Sequence, residues 1–272
     1  MMVADIAYAR LTPAARAAVD KLLALNIPPE SATSVSRDFV HASLWADMVR
    51  KEPGFETTAD LHFIDSPFSV DGTVLPSTLP RKNNVVTALT EEVKLLKERA
   101  TPPAERARAL RFLIHFLGDI HQPLHCATRV SILFPDGDQG GNNYNVKVSF
   151  EDGQERRTRL HAYWDEGLRS FPRAGPEHAP PSTSEIHRAV SSVLHDDPDS
   201  DRGWRVGGVY GFRQWMTESA WLARHTAYDG IKRAHDPSNA YRREGIRVVR
   251  RRIAWAGYRL AALLNAIYSV SR

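Results

Sequence analysis

A histidine followed four residues later by an aspartate occurs twice in this chain: His115/Asp119 within RFLIHFLGDIHQPLH, and His161/Asp165 within LHAYWDEGL. On a helix, residues four apart stack on one face, so each pair aims an imidazole and a carboxylate at a common point. The first pair sits in the most apolar stretch of the chain, residues 103–121, where an unpaired carboxylate is costly to bury. A fold that buries this stretch must therefore supply Asp119 with a cation, either one of the many arginines or a metal ion. His125 follows six residues after Asp119, just past Pro123. A lone histidine on a helix usually forms a structural hydrogen bond. Two imidazole–carboxylate pairs plus a further histidine form a donor set suited to divalent zinc.

At 272 residues, with 42% hydrophobic and 25% charged residues, the chain can bury a full core. No run approaches the roughly 20 apolar residues of a membrane span. The opening residues, MMVADIAYARLTPAARAAVDKLLAL, do not read as a signal peptide, since they lack a basic start and a cleavage site behind an apolar stretch. A single cysteine, Cys126, excludes an internal disulfide and reads as a buried small residue rather than a ligand. The net charge of +4 is compatible with a polyanionic substrate and carries little weight alone.

Most segments read as helix from their apolar periodicity. Helices are expected over 3–25, 36–50, 82–99, 103–121, 184–195, 212–234 and 239–268. LHFIDSP (61–67) reads as extended and closed by Pro67, and residues 70–80 as a Pro/Ser/Gly loop. DGDQGGNN is a glycine-rich turn, and the alternation that follows, broken by Asp-Gly, predicts a β-hairpin. Helix resumes through His161; 172–184 is a proline-rich loop and 196–208 is irregular. The expectation is an all-α, single multi-helix domain spanning 1–272, with a small β-hairpin inserted near 143–159.

WADMVR at 45–50, LHFID at 61–65, HFLGDIHQPLH at 115–125, GDQGGNN at 137–143 and LHAYWD at 160–165 occur in that order. Together they resemble the zinc-dependent single-strand-specific nucleases (the nuclease S-one, nuclease P-one and mung bean nuclease type). AGYRLAALLN near the C-terminus extends the resemblance to about residue 268. It implies the all-α fold shared with zinc phospholipase C, and three zinc ions. By motif, Asp47, His62 and His115 would bind the first zinc, with Asp119 bridging it to a neighbour, and His125, His161 and Asp165 would bind the more isolated one. Asp47 and His62 rest on the resemblance alone. A metal-bound hydroxide would hydrolyse single-stranded DNA or RNA to 5′-phosphate products, with Asp119 at its centre and Arg50 bracing the phosphate. Phe63 would stack on a base and Asp65 would hydrogen-bond its edge. His121 matches no ligand and reads as structural, and Asn143 reads as shaping its loop. A monomer, secreted or periplasmic, is implied.

The resemblance breaks at the start. The family's mature chain opens Trp-Gly-x-x-Gly-His, then two residues, then Val-Ala; its terminal amine, carbonyl and histidine hold the third zinc. Aligned on Val3-Ala4, that histidine would fall just before Met1. Two zinc sites are thus fully encoded in the sequence as given, and the third lacks its N-terminal ligands. Two other readings stand beside an active nuclease. One is a phospholipase C-like phosphodiesterase, which places Glu where Asp165 stands. The other is a catalytically weakened zinc- or nucleic-acid-binding relative.

Overall fold

The structure, a computed structural model, describes residues 1–149, 155–172, 180–200 and 202–269. Its helices are α1 (Met2–Tyr8), α2 (Pro13–Leu23), α3 (Glu30–Ser34), α4 (Phe39–Ala42), α5 (Trp45–Val49), α6 (Val85–Lys97), α7 (Pro103–Asp119), α8 (Leu160–Asp165), α9 (Thr183–Asp196), α10 (Phe212–Leu222) and α11 (Asn239–Ile267). Strand β1 (Pro67–Ser69) pairs in parallel with β2 (Thr128–Val130), and β3 (Asn145–Ser149) pairs antiparallel with β4 (Glu155–Arg159). The all-α class with a small β insertion is what the structure shows. The hairpin's strands occupy 145–149 and 155–159, and its Asp-Gly turn lies outside the described residues.

α7 is the axis of the main core. Pro103 fits the first turn, where its missing N–H is not needed. Leu110, Leu113, Phe116 and Leu117 are fully buried along the helix. Trp45 meets Phe112 edge-on at 5.1 Å between ring centroids, and Phe112 stacks on Phe116 at 5.1 Å. A second cluster joins the hairpin to α8 and α11 through Val146, Val148, Trp164 and Tyr241. A third packs α1 and α9 against α11 through Ile6, Val193 and Tyr258.

Several helices are shorter than periodicity predicts, each for a local reason. The stretch 3–25 divides because Thr12 caps α2, its hydroxyl accepting from the Ala15 amide at 3.2 Å, and Pro13 cannot continue a preceding helix. The stretch 36–50 divides into α4 and α5. Asp38 caps α4 by accepting from the Val40 and His41 amides, and the Ser43 carbonyl turns to accept from His115 Nδ1 at 2.6 Å. Residues 61–67 are not extended throughout. Glu56–His62 is a 3₁₀ helix, the backbone extends only from Phe63, and Pro67 opens β1 rather than ending a segment. α10 passes into a π-helical turn at Ala223–Ala227. Most of the proline-rich stretch 172–184 lies outside the described residues.

Behind α7 lies a buried ionic network. Arg259 donates to both oxygens of Glu218 at 2.7 and 2.9 Å, and Arg252 to the same carboxylate at 2.8 Å. Arg252 also donates to the His121 carbonyl, and Arg259 to His121 Nε2 at 2.9 Å. The network holds the end of α7 against α10 and α11. Glu218→Ala would strand two buried guanidinium groups, so it is expected to cost about 3–5 kcal/mol in chemical denaturation. A loss below about 1 kcal/mol would show the network to be dispensable.

Candidate metal centre

Three elements converge at the end of α7. α5 brings Asp47, the 3₁₀ helix brings His62 as its last residue, and α7 brings His115 and Asp119 one turn apart. His62 Nδ1 and His115 Nε2 stand 3.0 Å apart, with Asp119 Oδ2 at 3.0 and 3.1 Å from them. Asp47 closes the group at 4.0 Å from His62 and 3.8 Å from His115. Donors bonded to zinc at 2.0–2.1 Å in a tetrahedron stand about 3.3 Å apart, which these spacings bracket. Two imidazole nitrogens facing each other beside carboxylates need a shared cation or proton, and the donor set fits a metal ion.

The second group is His125, His161 and Asp165. His125 Nε2 lies 3.2 Å from Asp165 Oδ1 and His161 Nε2 3.5 Å from Oδ2, with the two rings stacked at 4.7 Å. Asp119 stands between the groups, its Oδ2 toward His62 and His115 and its Oδ1 3.8 Å from His125. In each set the ligand atoms of Asp47, His62 and His115, and of His125, His161 and Asp165, lie within 4.8 Å of one another. The side chains of Asp47 and Asp165 are about half exposed, at 52% and 44%, so both groups open toward solvent on their carboxylate side.

Backbone carbonyls set the imidazole tautomers. Nδ1–H of His115 donates to Ser43, that of His125 to His62 at 2.9 Å, and that of His161 to Gly140 at 2.8 Å. Each bond aims the Nε2 atom into the cluster, the arrangement that orients imidazole toward a metal. Sequence reading missed these supports, along with Gln122, which donates to Asp165 at 2.7 Å. It also missed Asp138, a fully buried carboxylate that accepts from the Arg129 and Gly141 amides and the Tyr228 hydroxyl. Asp138 folds the GDQGG turn, where Gly140 has φ +60° and a Cβ would sit 2.3 Å from the Leu124 carbonyl. The available signal was that turn signature, Asp before two glycines.

Both groups line one cleft of about 2310 Å³, larger than the few hundred to 1,000 Å³ of a typical small-molecule site. Arg50 lies on its wall 3.6 Å from Asp47, and Phe63, Asp65 and Arg81 also line it. Burial lifts the Asp65 carboxyl to about 6, with Arg81 opposing. His121 faces the protein instead. Its Nδ1 bonds the Leu117 carbonyl, and burial with Arg252 and Arg259 nearby drives its pKa far down, so it stays neutral. Cys126 is buried, its thiol pushed up to about 12 by burial, and it bonds the Ile120 carbonyl. Asn143 donates its backbone N–H to the Asp138 carbonyl within the loop.

The model of the S1/P1 Nuclease family matches residues 1–269. Endonuclease 3 of Arabidopsis thaliana is 28% identical over 94% of this chain and 82% of its own length. Nuclease S1 of Aspergillus oryzae is 27% identical over 90% of this chain and 83% of its own. Nuclease P1 of Penicillium citrinum is 30% identical over a shorter stretch, 44% of this chain and 41% of its own.

Burial is the largest single influence and works against charging His115 and His125, but Asp119 together with Asp47 for the one and Asp165 for the other outweighs it. Their pKa values rise to about 9 and about 10. Burial likewise opposes the Asp119 anion, and His115 and His125 hold it far below the usual carboxylate range. Without metal, the two histidines therefore keep their protons at pH 7. Their stabilising contribution is complete below about 6.5 and lost as pH rises through 9 and 10. A metal must displace those protons. Zinc uptake at pH 7 is expected to release about two protons and to tighten steeply between pH 6 and 9, as read by indicator dye and competition titration. An affinity flat across that range would contradict this electrostatic picture.

Proposed function

This chain belongs to the S1/P1 nuclease family, and from that premise we propose that it is a zinc-dependent endonuclease cleaving single-stranded DNA and RNA to 5′-phosphate products. That it is a hydrolase acting on nucleic acid follows from the family. The observation supporting the finer reading is the pair of donor sets flanking Asp119 in one open cleft, beside a guanidinium, an aromatic ring and a partly buried carboxyl. We assign Asp47, His62, His115 and Asp119 to one zinc, with Asp119 reaching toward a neighbouring ion, and His125, His161 and Asp165 to another.

Zinc, when bound, would lower the pKa of coordinated water to about 7 and draw charge from the phosphate. The side chains do the rest. The carbonyl anchors hold the imidazoles with their Nε2 atoms aimed inward, where a metal would take the place of a proton. Gln122 fixes Asp165 while leaving its second oxygen for the cluster. Arg50, half exposed beside Asp47, can swing a guanidinium onto a phosphate oxygen as charge develops. Phe63 offers a face for an unpaired base, which a duplex would withhold. Asp65, titrating near 6, can both donate to and accept from a base edge when protonated and only accept when ionised. We take the chain to act as a monomer outside the cytoplasm. Among the described residues, no helix is long and apolar enough to cross a membrane.

Incubation of the zinc-loaded chain with single-stranded DNA, RNA, duplex DNA and lecithin tests the reading. Cleavage of both single strands with 5′-phosphate ends is expected, with duplex and lipid left largely intact. Lecithin hydrolysis, or no cleavage of any nucleic acid, would overturn it. His161→Ala is expected to lower zinc content by one ion and activity by about 100-fold or more, by metal analysis and initial rates. Phe63→Ala is expected to raise KM for oligonucleotides about tenfold or more while kcat changes little, the pattern of a lost stacking contact. A fall in kcat at unchanged KM would instead place that ring in the chemical step.

A further inference from the structure

The β-hairpin leads directly out of the candidate metal centre. Arg159 ends β4 and lines the cleft, and His161 follows two residues later on α8. The hairpin's two faces differ sharply. Val146 and Val148 are buried beneath it, opposite Thr158 and Arg156. The other face carries Asn145 opposite Arg159 and Lys147 opposite Arg157. Lys147 is tied to Glu155 at 3.5 Å, at the end away from the cleft. Arg157 and Arg159 are exposed, and among the described residues neither guanidinium has a hydrogen-bond or ion-pair partner.

No stabilising role accounts for these two guanidinium groups. Arg159 occupies the N-cap of α8 without a side-chain capping bond, and a cation at a helix N-terminus opposes the helix dipole. Arg157 and Arg159 point the same way from alternate positions of one strand, about 6.8 Å apart at the antiparallel rise. That interval is comparable to one extended nucleotide. Arg157 is thus one phosphate step farther than Arg159 from the metal-binding cluster.

We propose that the outer face of the β3–β4 hairpin is a backbone-binding track for the substrate strand, in which Arg159 at the cleft wall and Arg157 beyond it take successive phosphates. The partner is the sugar–phosphate backbone of an unpaired nucleic acid, bound by charge and without base recognition. The inference rests on the nuclease reading for its substrate class. It adds that strands reaching past the cleft bind more tightly than short ones, and that this advantage disappears at high salt.

The test is fluorescence anisotropy of the zinc-loaded protein with hydrolysis-resistant phosphorothioate thymidylates, a 12-mer and a dinucleotide, compared with an Arg157→Glu variant. The variant is expected to bind the 12-mer at least about fivefold more weakly at 50 mM salt, with the salt slope lower by about 0.7, one single-strand phosphate contact. The dinucleotide, too short to reach Arg157, should show a much smaller change. Arg157→Lys should recover most of the 12-mer affinity. Equal 12-mer affinity in wild type and Arg157→Glu would overturn the track. Cleavage of unmodified strands by the same wild-type preparation decides the nuclease reading separately.

Discussion

Asp119 is the constraint on which the rest of the site depends. It closes α7, the axis of the main core, its side chain is largely buried, and it stays ionised because imidazoles stand on both sides. A carboxylate so placed must be neutralised, and among the described residues no arginine pairs with it; the arginines behind α7 go to Glu218 instead. Neutralisation falls to His62, His115 and His125, and through them to protons or metal ions. The positions of α5, the 3₁₀ helix at 56–62 and the segment after Pro123 can all be read as ways of bringing donors to this one group.

The cluster has a rigid side and an open side. On the rigid side, the carbonyls of Ser43, His62 and Gly140 hold three imidazoles, and the last two belong to segments that carry or contact ligands themselves. Displacing any one of these segments would misorient a donor in another. On the open side, Asp47, Asp165 and Arg50 face a cleft broad enough for a polymer. The stability of the fold is thus concentrated behind the site, and its chemistry faces solvent, where the hairpin carries the same open surface outward along Arg159 and Arg157.

Helical periodicity made His115/Asp119 and His161/Asp165 legible, because a four-residue spacing means one face whatever the surrounding fold. His125 was legible from its proximity to the first pair. Asp47 and His62 stand on separate short elements and share no spacing with the others, so only the ordered motifs pointed to them. Helix boundaries were misread where a side chain or carbonyl competed with the helix: the Thr12 cap with Pro13, and the Ser43 carbonyl claimed by His115. That second interaction links residues 72 apart and leaves no local trace. Asp138 and Gly140 were legible as a turn but not as supports for a histidine, since that role depends on tertiary contacts with Tyr228, Leu124 and His161.

Anomalous scattering across the zinc absorption edge, from crystals of the purified chain grown with zinc, tests the central claim most directly. The account predicts one anomalous peak among Asp47, His62, His115 and Asp119, and another among His125, His161 and Asp165, each with ligands at about 2.0–2.2 Å. Zinc bound elsewhere, or absent from both positions while the histidine rings keep their places, would contradict it.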